Sequence, residues 1–363
     1  MNTSIYFKKN VDDNLHYRKL KSMLKDVITD LPEQRKQEKI CFVLALPILF
    51  LIIYLLAIYF RDFVFLYYTL YSFLGIISVL IFINIIHDAV HNNIFKSRRY
   101  NHLIILIFDL IGGNSYIWKK RHMLMHHNFQ NISGWDSDIE QAGLIKIYPH
   151  VKTSAINKFQ HIFIFAFYPL FLFNWILFRD FKDFFLTDRL IKKVVKIPLI
   201  EYFKLFFFKI TFFFYILVIP ILLGVKPLTA IGALCIMLTV GSVFALLSLL
   251  TPHANETNQF PIPSENGEVD TSWLNHQFIT TNDISLNNWF TKHFMGNFNF
   301  HLAHHLFPKI SSVYAPEVTE VIKQYASKNN LNYRSYGLFE ALKYHYRLIK
   351  ANALDFNVFE EDM

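Results

Sequence analysis

Four long apolar stretches constrain this chain more than any other feature of its sequence. Cys41–Phe60, Phe63–Ile86 and Leu228–Leu250 contain no charged residue, and Leu205–Leu223 contains only Lys209, near its start. Each stretch is about 20 residues long, which is the length of a helix that crosses a bilayer. Lys209 is expected to snorkel towards the interface. The pattern predicts an all-α integral membrane protein with four transmembrane helices.

The spacing of these stretches predicts two transmembrane hairpins. Arg61-Asp62 separates the first two stretches and Gly224–Pro227 separates the last two. The predicted organisation is a cytosolic N-terminal segment (1–40), hairpin 1 (41–86), a cytosolic region (87–204), hairpin 2 (205–251) and a cytosolic C-terminal region (252–363). A further apolar run near 162–178 is at the lower limit for a span and is predicted to be an interfacial helix. The hydrophobic fraction of 53% argues against both a disordered chain and an ordinary soluble domain.

The positive residues predict the orientation. They flank the first hairpin on one side, at Arg35, Lys36, Lys39, Lys96, Arg98 and Arg99. The positive-inside rule therefore places the N-terminus, the middle region and the C-terminal region in the cytosol. The net charge of +8 is interpreted as inside-facing anchors and contacts to anionic membrane lipids, and nucleic acid is not expected as a partner.

Histidines form three clusters outside the predicted spans. The first is His87 and His91, the second is His122, His126 and His127, and the third is His301, His304 and His305. On a helix, positions three or four apart share a face, so His87/His91, His122/His126 and His301/His305 can each direct two imidazoles to one place. His253 follows the fourth apolar stretch by a few residues. With four spans, all nine histidines emerge on the same side of the membrane.

Nine imidazoles are too many for one zinc ion and predict a dimetal site in a helical cytosolic cap. Imidazole suits iron, copper and zinc alike. Cys41 and Cys235 lie in apolar runs without metal spacing, and no Glu-x-x-His motif occurs at the clusters. Oxidation of an unactivated acyl C–H bond requires an O2-derived oxidant, which favours two irons.

Three aspartates and seven further histidines lie outside the predicted ligand set. Asp88, Asp136 and Asp138 are candidate acceptors that orient the imidazoles, although a pair such as Asp136/Asp138 is more often a solvated loop. The remaining histidines are interpreted as surface or hydrogen-bonded residues rather than ligands, namely His16, His102, His150, His161, His276, His293 and His345.

Longer motifs surround the histidine clusters. Asn114–Trp118 lead to His122, and Asn131–Ile139 follow the second cluster with the sequence NISGWDSDI. Downstream come HANE from His253, Trp273 with His276-Gln277, TTN at 280–282, and GNFNF leading into His301 and HHLFP. Over about residues 40–350 the chain resembles the membrane fatty acid desaturases, in particular the bacterial acyl-CoA or acyl-lipid type.

The resemblance implies a di-iron enzyme that uses O2 and two external electrons to place a cis double bond in a fatty acyl chain. It implies metal-ligand roles for His87, His91, His122, His126, His127, His253, His301, His304 and His305, without catalytic residues beyond these ligands. It also implies a multi-pass protein of the bacterial inner membrane whose active site faces the cytoplasm. The fatty acyl substrate is expected as acyl-CoA, acyl carrier protein or a lipid-linked chain.

Two departures from the family pattern are informative. Many front-end desaturases, which introduce the bond on the carboxyl side of an existing one, carry Gln where His301 stands, so the bond position stays open. Some relatives carry a fused cytochrome b5 domain with an HPGG motif, which is absent here, and residues 1–40 are too short for it. No built-in haem or flavin is therefore expected, and the electrons are expected from ferredoxin or from cytochrome b5 with its reductase.

Two other functions are compatible with the pattern. A lipid or carotenoid hydroxylase or ketolase of the same dimetal superfamily begins with the same hydrogen abstraction. A metal-handling or transport protein would instead place ionisable residues within the spans near the midplane, whereas these histidines lie at or beyond the span ends.

Overall fold

The computed structural model describes residues 4–139 and 145–354, and this part of the chain is predominantly helical. In chain order the helical segments are α1 (Val11–Thr29), α2 (Gln34–Tyr59), α3 (Val64–Val90), α4 (Arg98–Ile104), α5 (Leu106–Leu110), α6 (115–129), α7 (Ala155–Val194), α8 (Leu199–Leu222), α9 (Pro227–Leu249), α10 (Trp273–Thr280), α11 (Trp289–His293), α12 (His301–Leu306), α13 (Ala315–Lys328) and α14 (Leu338–Leu354). Two short parallel strand pairs join β1 (Tyr6–Phe7) to β2 (Glu268–Val269) and β3 (Asp283–Ile284) to β4 (Ser335–Tyr336). The predicted all-α class is confirmed.

Five of these segments, α2, α3, α7, α8 and α9, are long and apolar enough to cross a membrane. The protein is therefore a membrane protein. Four of the five correspond to the predicted hairpins, with helix ends within a few residues of the predicted limits except at the start of α2 and of α8. The fifth, α7, contains the run that the sequence predicts to lie at the interface. The count of four spans stays a prediction.

The two hairpins pack through small residues on α3 and α9. An added Cβ at Gly75 would lie 2.1 Å from the Met237 carbonyl oxygen, and one at Gly241 would lie 3.1 Å from the Gly75 carbonyl oxygen. Small residues allow membrane helices to approach this closely. The two hairpin turns are also joined, because Arg61 Nε donates to the Leu223 carbonyl at 2.9 Å. The two hairpins thus pack together as one helical unit next to the histidines.

Four π-helical turns interrupt the long helices. They span Phe82–Ile86, His122–His126, Trp175–Arg179 and Phe214–Val218. A π-turn leaves backbone carbonyls free for other donors. At the fourth turn, the Tyr71 hydroxyl donates to the Ile216 carbonyl at 2.7 Å. The first π-turn directly precedes His87 and the second contains most of the second histidine cluster, so both lie at the candidate site.

Lys209 is buried inside the bundle, and the prediction that it snorkels is wrong. Its Nζ donates to Asp180 Oδ2 at 2.8 Å, to the Gly112 carbonyl at 2.6 Å and to the Ile176 carbonyl at 2.8 Å. Lys209 lies on α8 and Asp180 on α7. The ammonium group is stable there because every donor has a partner and the carboxylate balances its charge. The ion pair between Lys209 and Asp180 connects α7 to the second hairpin.

The N-terminal segment packs against the C-terminal region. Asn10 caps α1 by accepting from the Asp12 amide at 2.9 Å. Leu20 and Leu24 of α1 are buried in a core shared with α12 and α13. Strand β1 pairs with β2, which precedes α10. The segment therefore covers the region from which the third histidine cluster is supplied.

Candidate metal centre

The three histidine clusters and His253 meet at one end of the two hairpins. His87 and His91 lie at the C-terminal end of α3, the second cluster lies in α6 and the third in α12. His253 lies four residues beyond the end of α9. Eight of the nine side chains are buried, and His304 is partly buried. Residues far apart in sequence thus supply a single cluster of imidazoles.

A first group consists of His87, His91, His122 and His304. One ring nitrogen from each lies within 4.8 Å of the others. The ring centroids of His87 and His304 are 4.2 Å apart, and those of His91 and His304 are 4.8 Å apart. Within residues 4–139 and 145–354, the Nε2 atoms of His87, His91 and His304 have no hydrogen-bond partner although they are buried. Buried ring nitrogens without partners are what a metal-binding site requires of its ligands.

A second group consists of His126, His253, His301 and His305, again with ring nitrogens within 4.8 Å of one another. The Nε2 atom of His253 is 2.7 Å from that of His301 and 3.0 Å from that of His305, and the last two are 3.2 Å apart. Nitrogens that share one metal ion at about 2.1 Å stand about 3 Å apart, so this triangle has the right size. His253 Nδ1 is 3.0 Å from the Thr280 carbonyl, which favours a proton on Nδ1 and a free lone pair on Nε2.

His127 lies between the two groups. Its Nε2 is 3.1 Å from that of His122, and its ring centroid is 4.6 Å from the ring centroids of both His304 and His305. The nine predicted histidines are therefore all brought together, as two groups of four and one imidazole between them. Two adjacent metal ions fit this donor set better than one, because one transition-metal ion cannot use nine ligands.

The predicted pairing of His122 with His126 is reproduced only in part. Ring nitrogens of His122 and His126 lie within 4.8 Å of each other and of an Asp138 carboxylate oxygen, but His122 also belongs to the first group and His126 to the second. Their rings are nearly parallel, at an angle of 21°, with centroids 5.4 Å apart. Each ring is held by a different carboxylate. The other two pairs, His87/His91 and His301/His305, each stay within one group.

Those carboxylates are Asp138 and Asp136. Asp138 Oδ2 is 3.1 Å from His122 Nδ1, and Asp136 Oδ1 is 3.0 Å from His126 Nδ1. Asp136 is fully buried. The interpretation of this pair as a solvated loop is therefore wrong, and their role as acceptors that orient imidazoles is supported. The Asp88 carboxylate is farther from its neighbouring imidazole than these two are, with Oδ1 3.5 Å from His87 Nδ1.

Burial and these carboxylates set the protonation of the centre. Burial lowers the pKa of His253 to about 3, and it lowers the pKa of His122 to about 3 although Asp138 opposes the shift. Burial also acts against a charged His126, but the Asp136 carboxylate outweighs it and raises the pKa of His126. His122 and His253 are thus neutral at pH 7, which is the form of imidazole that binds metal.

The other histidines stay outside both groups in the described residues. His345 is buried between the Tyr168 hydroxyl, 2.6 Å from its Nε2, and the Ala254 carbonyl. His276 is buried beside Phe7. Sequence reasoning missed Lys39, which contacts Asp88, and Asp283, whose Oδ1 accepts from the Leu302 amide at 2.8 Å at the start of α12. Neither residue can be recognised from its sequence spacing, because each contacts a neighbour of the histidines from a distant segment of the chain.

A largely apolar chamber, called the apolar chamber below, borders the centre. This cavity of about 100 Å³ is lined by Phe82, Trp118, Phe171, Trp175, Leu249 and Phe298, by the histidines His87, His122, His126, His253 and His301, and by Asp138 and Arg179. A second, inner cavity of about 50 Å³ is lined by Gly75, Met237 and Ala245. Both cavities share Phe82, Phe171, Trp175 and Leu249. Together they provide an apolar path from the hairpin interior to the imidazoles.

Comparison with known proteins agrees with this geometry. The family model described as fatty acid desaturase matches residues 63–337. The chain is 29% identical to an sn-1 linoleoyl-lipid 6-desaturase of Synechocystis over 74% of this chain and 75% of the relative. It is 30% identical to the protein of the same name from Arthrospira platensis over 75% of this chain and 74% of the relative. An acyl-lipid (8-3)-desaturase of Physcomitrium patens is 28% identical over 76% of this chain and 58% of the relative.

Proposed function

Because this chain belongs to the fatty acid desaturase family, whose members are oxidoreductases, we propose that it is a di-iron enzyme that places a cis double bond in a lipid-linked acyl chain. The observation that carries the proposal is the pair of four-histidine groups with His127 between them. The named relatives act on acyl lipids, which favours a lipid-linked chain over a CoA or carrier-protein thioester.

The nine histidines supply a ligand set for two iron ions. His87, His91, His122 and His304 would hold one ion, and His126, His253, His301 and His305 the other, with His127 between them. When bound, the iron ions supply the O2 chemistry that side chains cannot perform on an unactivated C–H bond. Asp138 and Asp136 keep His122 and His126 in the orientation and tautomer that ligation needs.

The apolar chamber binds and orients the acyl chain. Its aromatic and aliphatic lining excludes water from the methylene groups that lie against the imidazoles. The inner cavity extends the path towards Gly75 and Met237, where α3 and α9 are in their closest contact. That contact closes the path and limits how far the methyl end of the acyl chain can extend. Positioning two adjacent carbons beside the centre is the main contribution of the chain's own residues.

The overall reaction removes two hydrogen atoms from neighbouring CH2 groups and reduces O2 to two water molecules. Two of the four electrons come from the acyl chain, and two come with two protons from outside the protein. We propose a separate ferredoxin, or cytochrome b5 with its reductase, as the electron donor. The four-span topology would place the centre on the cytoplasmic side of a bacterial inner membrane, where such donors are found.

Expression in a desaturase-deficient host with an electron donor tests the activity. Mass spectrometry of the lipids should reveal an acyl product two mass units lighter than its precursor. An acyl product sixteen mass units heavier would contradict desaturation and indicate a hydroxylase of the same superfamily.

A matched pair of variants tests the ligand set. His304→Ala should lose bound iron and activity, whereas His102→Ala, which removes an exposed imidazole outside the centre, should retain both. Iron is measured by elemental analysis of the purified protein. Retention of iron and activity by His304→Ala would refute the ligand assignment.

A further inference from the structure

A polar cleft approaches the histidines from outside the apolar chamber. This cleft has a volume of about 390 Å³ and is the largest cavity described. Its charged lining residues are Arg35, Glu38, Lys39, Lys292 and Glu317. Asn84, Asn287, Asn288 and Asn297 add further polar groups. Such a lining suits water and ions and does not suit an acyl chain.

A small inner pocket lies between this cleft and the first histidine group. It has a volume of about 20 Å³ and is lined by His87 and His304, by Asp88, Asn93 and Ser312, and by apolar residues that include Phe300, Phe307 and Val318. A cavity of that size holds about one water molecule when polar partners are present. The cleft and the inner pocket share Gly296, Asn297 and Ser312. These three residues form a wall that faces both the pocket and the cleft.

The wall is polar. Ser312 Oγ donates to Asp88 Oδ2 at 2.7 Å, and Lys39 Nζ contacts both of these side chains. Asn297 Nδ2 donates to the Ser312 carbonyl at 2.8 Å. Water that enters the wall therefore meets donors and acceptors instead of apolar surface, so its passage costs little desolvation.

Phe298 lies at the boundary between the inner pocket and the apolar chamber. It lines both cavities, as does His87. Its ring centroid is 4.2 Å from that of His301 and 5.1 Å from that of His87. The aromatic ring thus lies between water-compatible space and acyl-compatible space at the point where both reach the histidines.

We propose that the polar cleft and the inner pocket form an aqueous passage to the histidine centre, distinct from the acyl chamber. The role assigned to the passage rests on the proposed function, in which two protons enter and two water molecules leave for each double bond. In the proposed function the apolar chamber is filled by substrate during this reaction, and its inner part is lined almost entirely by apolar residues. The passage supplies a separate polar route, and Ser312 lines both of its parts.

The access of water is measured without turnover. The full-length protein in detergent is loaded with Cu²⁺, which binds imidazole strongly, and is mixed rapidly with D2O before freezing. The deuterium modulation in pulsed EPR spectra then reports how fast water reaches the copper. Ser312→Met, which fills the wall, should slow the appearance of deuterium several-fold. Ser312→Ala, which removes the hydroxyl group without adding volume, should not slow it.

A plug in the acyl path provides the converse control. Ala245 is buried and lines the inner apolar cavity. Ala245→Met should weaken the binding of a spin-labelled acyl lipid and leave the deuterium kinetics unchanged, whereas Ser312→Met should do the opposite. Val318→Phe fills the inner pocket from its far wall and repeats the test where Ser312→Met fails to fold.

The outcomes separate the two proposals. Deuterium kinetics that are unchanged in both Ser312→Met and Val318→Phe would overturn the passage, as would slowing in Ala245→Met alone. A protein that yields no desaturated lipid but retains Ser312-dependent deuterium kinetics would support the passage and contradict the proposed function.

Discussion

Asp136 connects the second histidine group to the loop that follows α6. Its carboxylate accepts from His126 Nδ1 at 3.0 Å, from the Asn131 amide at 2.9 Å and from the Asp138 amide at 3.0 Å. The Tyr148 hydroxyl donates to the Asp136 carbonyl at 3.2 Å. One buried side chain thus fixes an imidazole and the backbone that carries the neighbouring carboxylate.

Asp136→Asn should weaken metal binding. The amide nitrogen cannot accept a hydrogen bond, so at least one of the donors that face the carboxylate loses its partner. Loss of such an acceptor lowers metal affinity by about 10- to 100-fold in comparable sites. Metal affinity is measured by competition with a chelator. Asp30→Asn, an exposed position at the end of α1, is the matched control and should bind metal normally; equal affinity in both variants would contradict the role of Asp136.

At this scale the sequence identifies the histidines but not the residues that hold them. The repeated spacing made eight of the imidazoles recognisable, the position of His253 after an apolar stretch added the ninth, and all nine converge. Asp136 and Asp138 could be named only as candidates, because a loop aspartate has the same sequence signature whether it is solvated or buried. Lys39 could be named only as a positive residue that flanks the first hairpin, since its contact with Asp88 joins the start of one hairpin helix to the end of the other.

Among the elements, α7 is held by charge pairs inside the bundle. Asp180 pairs with Lys209 of α8, and Asp183 pairs with Arg121 of α6 and with Arg189. Sequence reasoning recognised an uncharged run near 162–178 but could not place its charged continuation. Four ionisable residues within Arg179–Asp183 look like an exposed surface until their partners on other helices are known. The hairpins were easier to predict, because length and apolarity alone identify them.

Lys209→Met should destabilise the protein. It leaves Asp180 buried without its cation, and breaking a buried pair in this way costs about 3–5 kcal/mol. The double variant Lys209→Met/Asp180→Leu removes both charges and should recover much of that loss. Thermal unfolding in detergent measures both variants. A double variant as unstable as the single one would contradict a specific pairing.

Gly75→Ala should loosen the contact between α3 and α9. The added Cβ would lie 2.1 Å from a backbone carbonyl, which cannot move without shifting the helix. Overpacking of this kind costs about 1–3 kcal/mol. Gly337→Ala is the control, because nothing lies within 4 Å of its added Cβ. Thermal unfolding should separate the two variants, and equal stability would argue against the close contact.

For the whole molecule, the convergence of the histidines on one centre restricts the number of membrane crossings. His87 follows α3 and His253 follows α9, and both contribute to one cluster. A single additional crossing by α7 would carry His253 to the opposite side of the membrane from His87. Both halves of α7 also contact helices outside the hairpins: Tyr168 contacts His345 of α14, and Asp183 contacts Arg121 of α6. We therefore expect α7 to lie along the interface, as the sequence predicts, although its length and composition would permit a span.

Cysteine labelling tests this topology directly. Both natural cysteines, Cys41 and Cys235, are exposed and are first replaced by serine. Lys196→Cys then reports on the segment between α7 and α8, and Lys226→Cys reports on the turn between α8 and α9; both positions are exposed. If α7 lies along the interface, a membrane-impermeant maleimide added to intact spheroplasts should label Lys226→Cys and should label Lys196→Cys only after lysis. Labelling of Lys196→Cys in intact spheroplasts would mean that α7 crosses the bilayer, and it could be reconciled with a single histidine centre only if another segment crossed as well.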